Sequence, residues 1–294
     1  MQKEFLPTLE NRKKHLENYL GKYPKNEVFE VGKSILGKSI NCYKIGSGKG
    51  NILAVGAHHA MEYVTASVLY DFIDFIAEKG TRGESAYGVN LGFLLKKFTF
   101  WIIPCVNPDG VETQLMGQEN SPLMKRQLVM NGSGDFSRWQ ANSRGVDLNH
   151  NYDAGFLEYK RIEARENILP GKTRFSGEYP ESEPETRAVA TLLRTLMPRA
   201  VVSFHTQGGE IFYSPKTDVV RRAAERMAHS VGYVTKEAAG YAAYGGLSDY
   251  SGTALGIPSF TVELGRGENP LPISLQKSLS LVARKLLITL PTHL

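Results

Sequence analysis

The sequence predicts one α/β domain built on a twisted, mixed but mainly parallel sheet with helices on its faces. Short, strongly apolar runs recur along the chain (NILAVGA, FTFWIIPCV, AVVSFHT and SFTVELG), segments of helical periodicity alternate with them, and no repeat or linker divides the 294 residues. Strands covered on both faces lose the polar/apolar alternation of a half-exposed sheet and become continuous apolar runs, which is what these four are.

Residues 8 to 22 place Leu9, His15, Leu16 and Leu20 at helical spacing before a Gly-Lys-Tyr-Pro stop, so an amphipathic helix opens the chain. This N-terminal helical segment (1–28) precedes a core of 29–294. VFEVGKS and INCYKIGSG are β-rich runs around a glycine-containing turn, and NILAVGA reads as a buried central strand followed by a helix over 63–79. FTFWIIPCV (98–106) is a second apolar strand, ended by Asn107-Pro108-Asp109-Gly110, where turn chemistry predicts a chain reversal. From 117 to 180 the chain is Gly-, Ser- and Asn-rich with little periodicity, and reads as irregular substrate-facing loops. Ser182 is expected to cap a helix with Pro184 and acids in its first turn and Val189, Leu192, Leu193 and Leu196 on its apolar face. The strand AVVSFHT, a helix near 217–231, the strand SFTVELG and a helix over about 273–289 follow.

Composition sets the class. With 41% hydrophobic and 22% charged residues the chain is ordinary for a globular protein. Its 35 Lys+Arg exceed its 30 Asp+Glu by five, but the charges are scattered without a dense basic block, which argues against nucleic acid as partner. Met1-Gln2-Lys3-Glu4-Phe5 lacks a secretory apolar region, and no 18 apolar residues run uninterrupted, so a cytoplasmic protein without a membrane partner is expected. The two cysteines, Cys42 and Cys105, lie in apolar runs far apart and read as buried free thiols.

Chemistry concentrates at three strand ends. His59 and Glu62 form an H-x-x-E pair just past NILAVGA, where a strand-to-helix turn can bring imidazole and carboxylate to one point, a pairing that suits zinc at about 2.0–2.2 Å. His58 is a competing donor one residue earlier. Open α/β sheets place their sites beyond the carboxyl ends of strands, and His205 ends AVVSF in that position. Glu263 closes SFTVEL, where an acid is costly unless it is paired, bound or reactive; pairing with Arg266 is the structural alternative. His-Glu-His with one open position is a zinc arrangement for hydrolysis, and a neighbouring Glu is its usual base.

The ordered set HAME (59–62), PCVNPDG (104–110), GVDLNHN (145–151), SFHTQ and TVELG resembles the zinc metallocarboxypeptidases from about residue 30 to 290. HTQGGEIFY, SEPETRA and ELGRGENPLP are most similar to the branch of γ-D-glutamyl-L-diamino acid peptidases, which cut cell-wall peptides. The resemblance implies one Zn2+ on His59, Glu62 and His205, Glu263 as general acid/base, and Asp147 as the carboxylate that orients His59. It implies a small peptide substrate, a muropeptide in this branch. It matches Asn149-His150 to an Asn-Arg pair that clamps a terminal carboxylate in relatives; an imidazole does this less well, which argues against a general digestive carboxypeptidase. Gln140 falls where several relatives carry an arginine that polarises the scissile carbonyl, leaving Arg138 or Arg144 for that role. Tyr241, with Tyr244 as alternative, matches a substrate-capping tyrosine, and Asp249 would line the specificity pocket and pair with the amino group of a diamino acid. General carboxypeptidase, zinc amidohydrolase of acylated amino acids and non-catalytic wall-fragment binding remain as alternatives. A serine hydrolase is disfavoured by the lack of G-x-S-x-G, and GSGKG (46–50) lacks the spacing of a phosphate loop.

Overall fold

The computed structural model describes residues 4–117 and 122–293. Its strands are β1 (Glu27–Lys33), β2 (Ser39–Gly46), β3 (Gly50–Val55), β4 (Ser85–Ala86), β5 (Val89–Asn90), β6 (Phe98–Ile103), β7 (Ala200–His205), β8 (Glu210–Ser214), β9 (Val234–Lys236) and β10 (Ser259–Glu263). Eight of them form one sheet in the order β1-β2-β6-β3-β7-β10-β8-β9, while β4 and β5 make a separate two-stranded ribbon. The four central strands β6, β3, β7 and β10 are mutually parallel, and β2 and β8 join them antiparallel on either side. The expected mixed, mainly parallel sheet is therefore present, with its antiparallel pairs toward the edges.

Strand alternation divides the apolar side chains between two cores. On β3, Ile52 and Ala54 face a layer that includes Val68, Phe72, Met227 and Leu286. Leu53 and Val55 face the other way, toward Val189, Leu193, Leu148 and Tyr152. Helices Val64–Thr81, Asp218–Val231 and Gln276–Thr289 contribute to the first core and Pro184–Leu196 to the second, so the sheet is covered on both faces. Every residue of β7 is buried, as its apolar run predicts, and each Val or Phe fully withdrawn from water there contributes about 1.5–3 kcal/mol. No helix among the described residues is long and apolar enough to cross a membrane.

The helix expected over 8–22 is Leu9–Lys22, capped by Thr8, and the helices expected near 63–79, 217–231 and 273–289 form within a few residues of those bounds. Three readings need correction. Asn107-Pro108-Asp109-Gly110 does not reverse the chain but opens helix Pro108–Met116: Asn107 Oδ1 accepts the Gly110 N–H at 2.9 Å and Pro108 occupies the first turn, so residues favoured in turns act here as a helix start. The helix expected to be capped by Ser182 begins one residue later, at Pro184 after Glu183, because the Ser182 hydroxyl is engaged with Asn151 and Glu183. The irregular stretch after 117 contains helices Met124–Asn131 and Phe156–Glu166. Cys42 and Cys105 are buried and unpaired, as expected.

Candidate metal centre

Two adjacent parallel strands aim their carboxyl ends at one point. Leaving β3, the chain is held by Thr65, whose hydroxyl accepts the Ala57 N–H at 2.9 Å and donates to the Glu62 carbonyl at 2.8 Å. This fastens the single 3₁₀ turn Ala60–Glu62 and brings the His59 ring back over the Glu62 carboxylate, with His59 Nδ1 3.0 Å from Glu62 Oε1. From the neighbouring β7, His205 Nδ1 stands 3.0 Å from Glu62 Oε2 and 3.2 Å from His59 Nδ1. The Thr206 N–H adds a bond to Glu62 Oε2 at 3.3 Å. Ligand atoms of His59, Glu62 and His205 all lie within 4.8 Å of one another.

The outer nitrogens decide what the inner ones offer. His59 Nε2 lies 3.1 Å from the fully buried Asp147 carboxylate, and His205 Nε2 is 3.1 Å from the Ser203 hydroxyl. With the ring protons donated outward, two imidazole lone pairs and two carboxylate oxygens converge within hydrogen-bond distance of each other. Four acceptors repel unless a cation sits among them, and His/Glu/His is a donor set suited to zinc. The charges agree. Burial works against a charged His59 ring, yet the Glu62 and Asp147 carboxylates outweigh it and raise its pKa well above the usual imidazole value. Burial likewise opposes charge on Glu62, but His59 and His205 hold its pKa down at about 2. The field at this point favours positive charge, and the residues fit a zinc ion.

His58, the competing donor, is not part of the cluster: Nε2 bonds the Tyr152 hydroxyl at 2.8 Å, and burial pushes the ring's pKa well below the usual value. Asp147 accepts four hydrogen bonds, from His59 Nε2 and the Asn149 N–H on Oδ1 and from Gln140 Nε2 and the Arg174 N–H on Oδ2. Ser203, which sequence reading missed, sits two residues before His205 and therefore on the same strand face; that spacing was the available signal.

Glu263 ends β10 directly opposite His205 in the ladder. It makes no ion pair with Arg266 among the described residues. Burial first, then the negative charge of Glu62, raises its pKa well above the ordinary carboxylate range. It lines a cleft of about 290 Å³ together with His59, His205, Asp147, Asn149, His150, Gln140, Arg174, Tyr241, Ser248 and Asp249. The segment carrying Tyr241 and Asp249 is laid against the His150 loop: the Tyr152 N–H donates to Gly245 O at 3.0 Å, and the Gly245 N–H to Ala154 O at 2.7 Å. Gly245 has φ +73, and a Cβ there would meet the His150 carbonyl oxygen at 2.5 Å, so only glycine permits this approach.

Of the two candidate tyrosines, Tyr241 lines the cleft and is half exposed, whereas the Tyr244 ring packs on Gly155 and its carbonyl accepts His150 Nδ1–H at 2.8 Å. Asn149 accepts the Leu247 N–H and steadies the same segment. Asp249 is largely buried, and burial raises its pKa to about 6 although the Gly246 N–H bonds its carboxylate. The two arginines are placed elsewhere: Arg138 is exposed and pairs with Glu268 at 3.3 Å, and Arg144 pairs with Glu183 at 3.0 Å on a separate surface pocket. Gln140 instead lines the cleft and donates to Asp147 at 2.7 Å. Arg174, in the irregular segment, also lines the cleft, and no periodicity around it marks it out.

A family model described as zinc carboxypeptidase matches residues 13–285. The chain is 32% identical over 260 residues to γ-D-glutamyl-L-diamino acid endopeptidase 1 of Lysinibacillus sphaericus, a match covering 86% of this chain and 64% of that protein. It is 31% identical over 140 residues to murein peptide amidase A of Escherichia coli K12, covering 43% of this chain and 46% of the relative. Among solved structures, the carboxypeptidase A of Helicoverpa armigera superposes with a TM-score of 0.78 at 19% identity, over 98% of this chain and 73% of that one. Bovine thrombin-activatable fibrinolysis inhibitor gives 0.74 at 23%, over 99% and 97%. These two likenesses concern the fold.

Proposed function

The chain belongs to the zinc carboxypeptidase family, and from that premise we propose that it is a zinc-dependent peptidase acting on small wall-derived peptides, at the bond between γ-linked D-glutamate and a diamino acid. The observation that carries the reading is the convergence of His59, Glu62 and His205 beside a partly buried Glu263, which has no ion-pair partner among the described residues, in a cleft of about 290 Å³.

A zinc ion in this site would supply Lewis acidity toward the scissile carbonyl and acidify water. Glu263, its pKa raised toward the working range of an acid/base group, takes the proton of the attacking water and returns it to the leaving nitrogen. Asp147 fixes the His59 ring. Asp249, which lines the cleft, pairs with the side-chain ammonium of the diamino acid, and the half-exposed Tyr241 closes over the bound peptide. The substrate class is supported by the endopeptidase and murein amidase relatives.

The test incubates zinc-loaded protein with L-Ala-γ-D-Glu-meso-diaminopimelate and with peptides ending in Leu or Lys, alongside Glu263→Gln. Cleavage of the first alone, lost in the variant, is expected. Cleavage of only the ordinary peptides would replace this specificity with that of a general carboxypeptidase; no cleavage at all would refute the peptidase reading.

A further inference from the structure

A peptide with free carboxylates needs a cationic partner in the cleft, and the residues matched to that task do not provide one. Burial lowers the pKa of His150, and its Nδ1–H is given to the Tyr244 carbonyl at 2.8 Å, so in the neutral ring Nε2 carries a lone pair and repels a carboxylate. Its ring is further fixed by stacking on Tyr159, with centroids 4.1 Å apart. Arg138 and Arg144, expected at the scissile carbonyl, are engaged with Glu268 and Glu183 away from the cleft and supply no cation either. Among the described residues that line the cleft, Arg174 is the one Arg or Lys.

Resting on the peptidase reading above, we propose that Arg174 receives a carboxylate of the substrate and takes the place of the clamp that His150 cannot provide. Its backbone is held on both sides: the N–H donates to Asp147 Oδ2 at 3.2 Å, and the carbonyl accepts the Tyr159 hydroxyl at 2.7 Å. Arg174 is thereby fixed next to the carboxylate that orients His59. It adopts φ +70, a left-handed conformation that a glycine would occupy without strain, and such outliers concentrate where a side chain is needed. The guanidinium pairs with Glu166 and lies 4.9 Å from the Tyr241 ring centroid. Its Nε is buried with no hydrogen-bond partner in the protein. A planar fork anchored by one partner, stacked on a ring and holding an unsatisfied N–H suits bidentate carboxylate binding. With Asp249 in the same cleft, the site offers one positive and one negative partner, which matches a residue bearing both a carboxylate and an ammonium.

Three carboxylates of L-Ala-γ-D-Glu-meso-diaminopimelate have this chemistry: the terminal one, the side-chain one of diaminopimelate, and the α-carboxylate that the γ-linkage leaves free beside the scissile bond. The experiment measures kcat and KM of zinc-loaded wild type, Arg174→Gln and Arg174→Lys on four peptides: fully free, amidated at the terminus, amidated at the diaminopimelate side-chain carboxyl, and amidated at the glutamate α-carboxyl. Arg174→Gln should lose roughly 10- to 100-fold in kcat/KM on the free peptide and little on the one lacking the carboxylate that Arg174 binds, which identifies the source; Arg174→Lys should fall between. Equal losses on all four peptides would make Arg174 a structural residue, and wild-type values throughout would also overturn the proposal. Should wild type cleave none of them, the peptidase reading falls separately, and calorimetric titration with the same intact peptides tests Arg174. A preference for the free peptide that Arg174→Gln abolishes supports the clamp; no preference, or no binding, refutes it.

Discussion

Replacing Asp147 by asparagine should weaken zinc binding about 10- to 100-fold while leaving the chain folded. The Asp147 carboxylate receives four N–H groups, two on each oxygen: His59 Nε2 at 3.1 Å and Asn149 N at 3.1 Å, Gln140 Nε2 at 2.7 Å and Arg174 N at 3.2 Å. An amide offers one oxygen and one NH2, so it can satisfy one side only. If its oxygen faces His59, its NH2 opposes the Arg174 N–H, and an orphaned buried donor costs about 1–3 kcal/mol. If it turns the other way, NH2 opposes His59 Nε2 and drives the ring proton to Nδ1, the atom that faces Glu62 and His205. Either orientation disturbs the ligand, and a 10- to 100-fold loss corresponds to about 1.4–2.7 kcal/mol. The assay is zinc competition against a chromophoric chelator near neutral pH, with the thermal midpoint of the apoprotein measured in parallel. A variant that folds like wild type and holds zinc as tightly would show that Asp147 does not orient His59.

Glu263→Gln should lower kcat by about 10²- to 10⁴-fold with zinc content unchanged and a thermal midpoint no lower, since the amide removes a buried like charge beside Glu62; retained turnover would exclude Glu263 as the base. Because Glu62 and Asp147 outweigh burial and raise the His59 pKa, zinc must displace a proton at acid pH, and apparent affinity should rise about tenfold per pH unit until that pKa is passed; a profile flat with pH would argue against His59 as a ligand. Burial raises the pKa of Glu185 from 4.5 to about 8, and the bond from the Ile35 N–H does not offset it. The folded state then binds the extra proton, so its stability is highest below pH 4.5 and falls as pH rises through about 8, by up to about 5 kcal/mol from this group; Glu185→Gln should flatten that decline in denaturant titrations, and an unchanged slope would remove Glu185 as its source. Asn107→Ala should cost about 2–4 kcal/mol, read as a lower denaturant midpoint, because it removes a helix cap and leaves the His58 and Ala141 carbonyls without their donor; a loss within a few tenths would show that these bonds are replaced.

The parts of this structure visible in the sequence are those governed by short-range pattern. Apolar runs marked β3, β6, β7 and β10, and the positions of His59, His205 and Glu263 at or just beyond strand ends put the candidate metal ligands and Glu263 on one edge of a sheet. Strand order was not accessible, because insertion of β3 between β6 and β7 depends on crossovers that no local pattern records. Asn107 was read as a turn for a physical reason: the side-chain acceptor that folds a turn is also the acceptor that caps a helix, and only the residues beyond Gly110 decide between them. Strands β8 and β9 escaped notice because they are short and lie toward the sheet's edge. Arg174 could not be found by spacing, since its place in the cleft comes from an irregular backbone pinned to Asp147.

The candidate metal ligands come from opposite halves of the chain: His205 is 143 residues from Glu62 and 146 from His59, yet they meet across one strand pairing. A ribosome-bound chain that has emerged only through the first two ligands holds half a site, and zinc can be captured in full only once β7 has been made and seated beside β3. Metal acquisition therefore waits for the synthesis of β7. The loaded ion then ties the first half of the chain to the second, so separating β3 from β7 also requires releasing it, and zinc-saturated protein should resist proteolysis in proportion to the free zinc supplied.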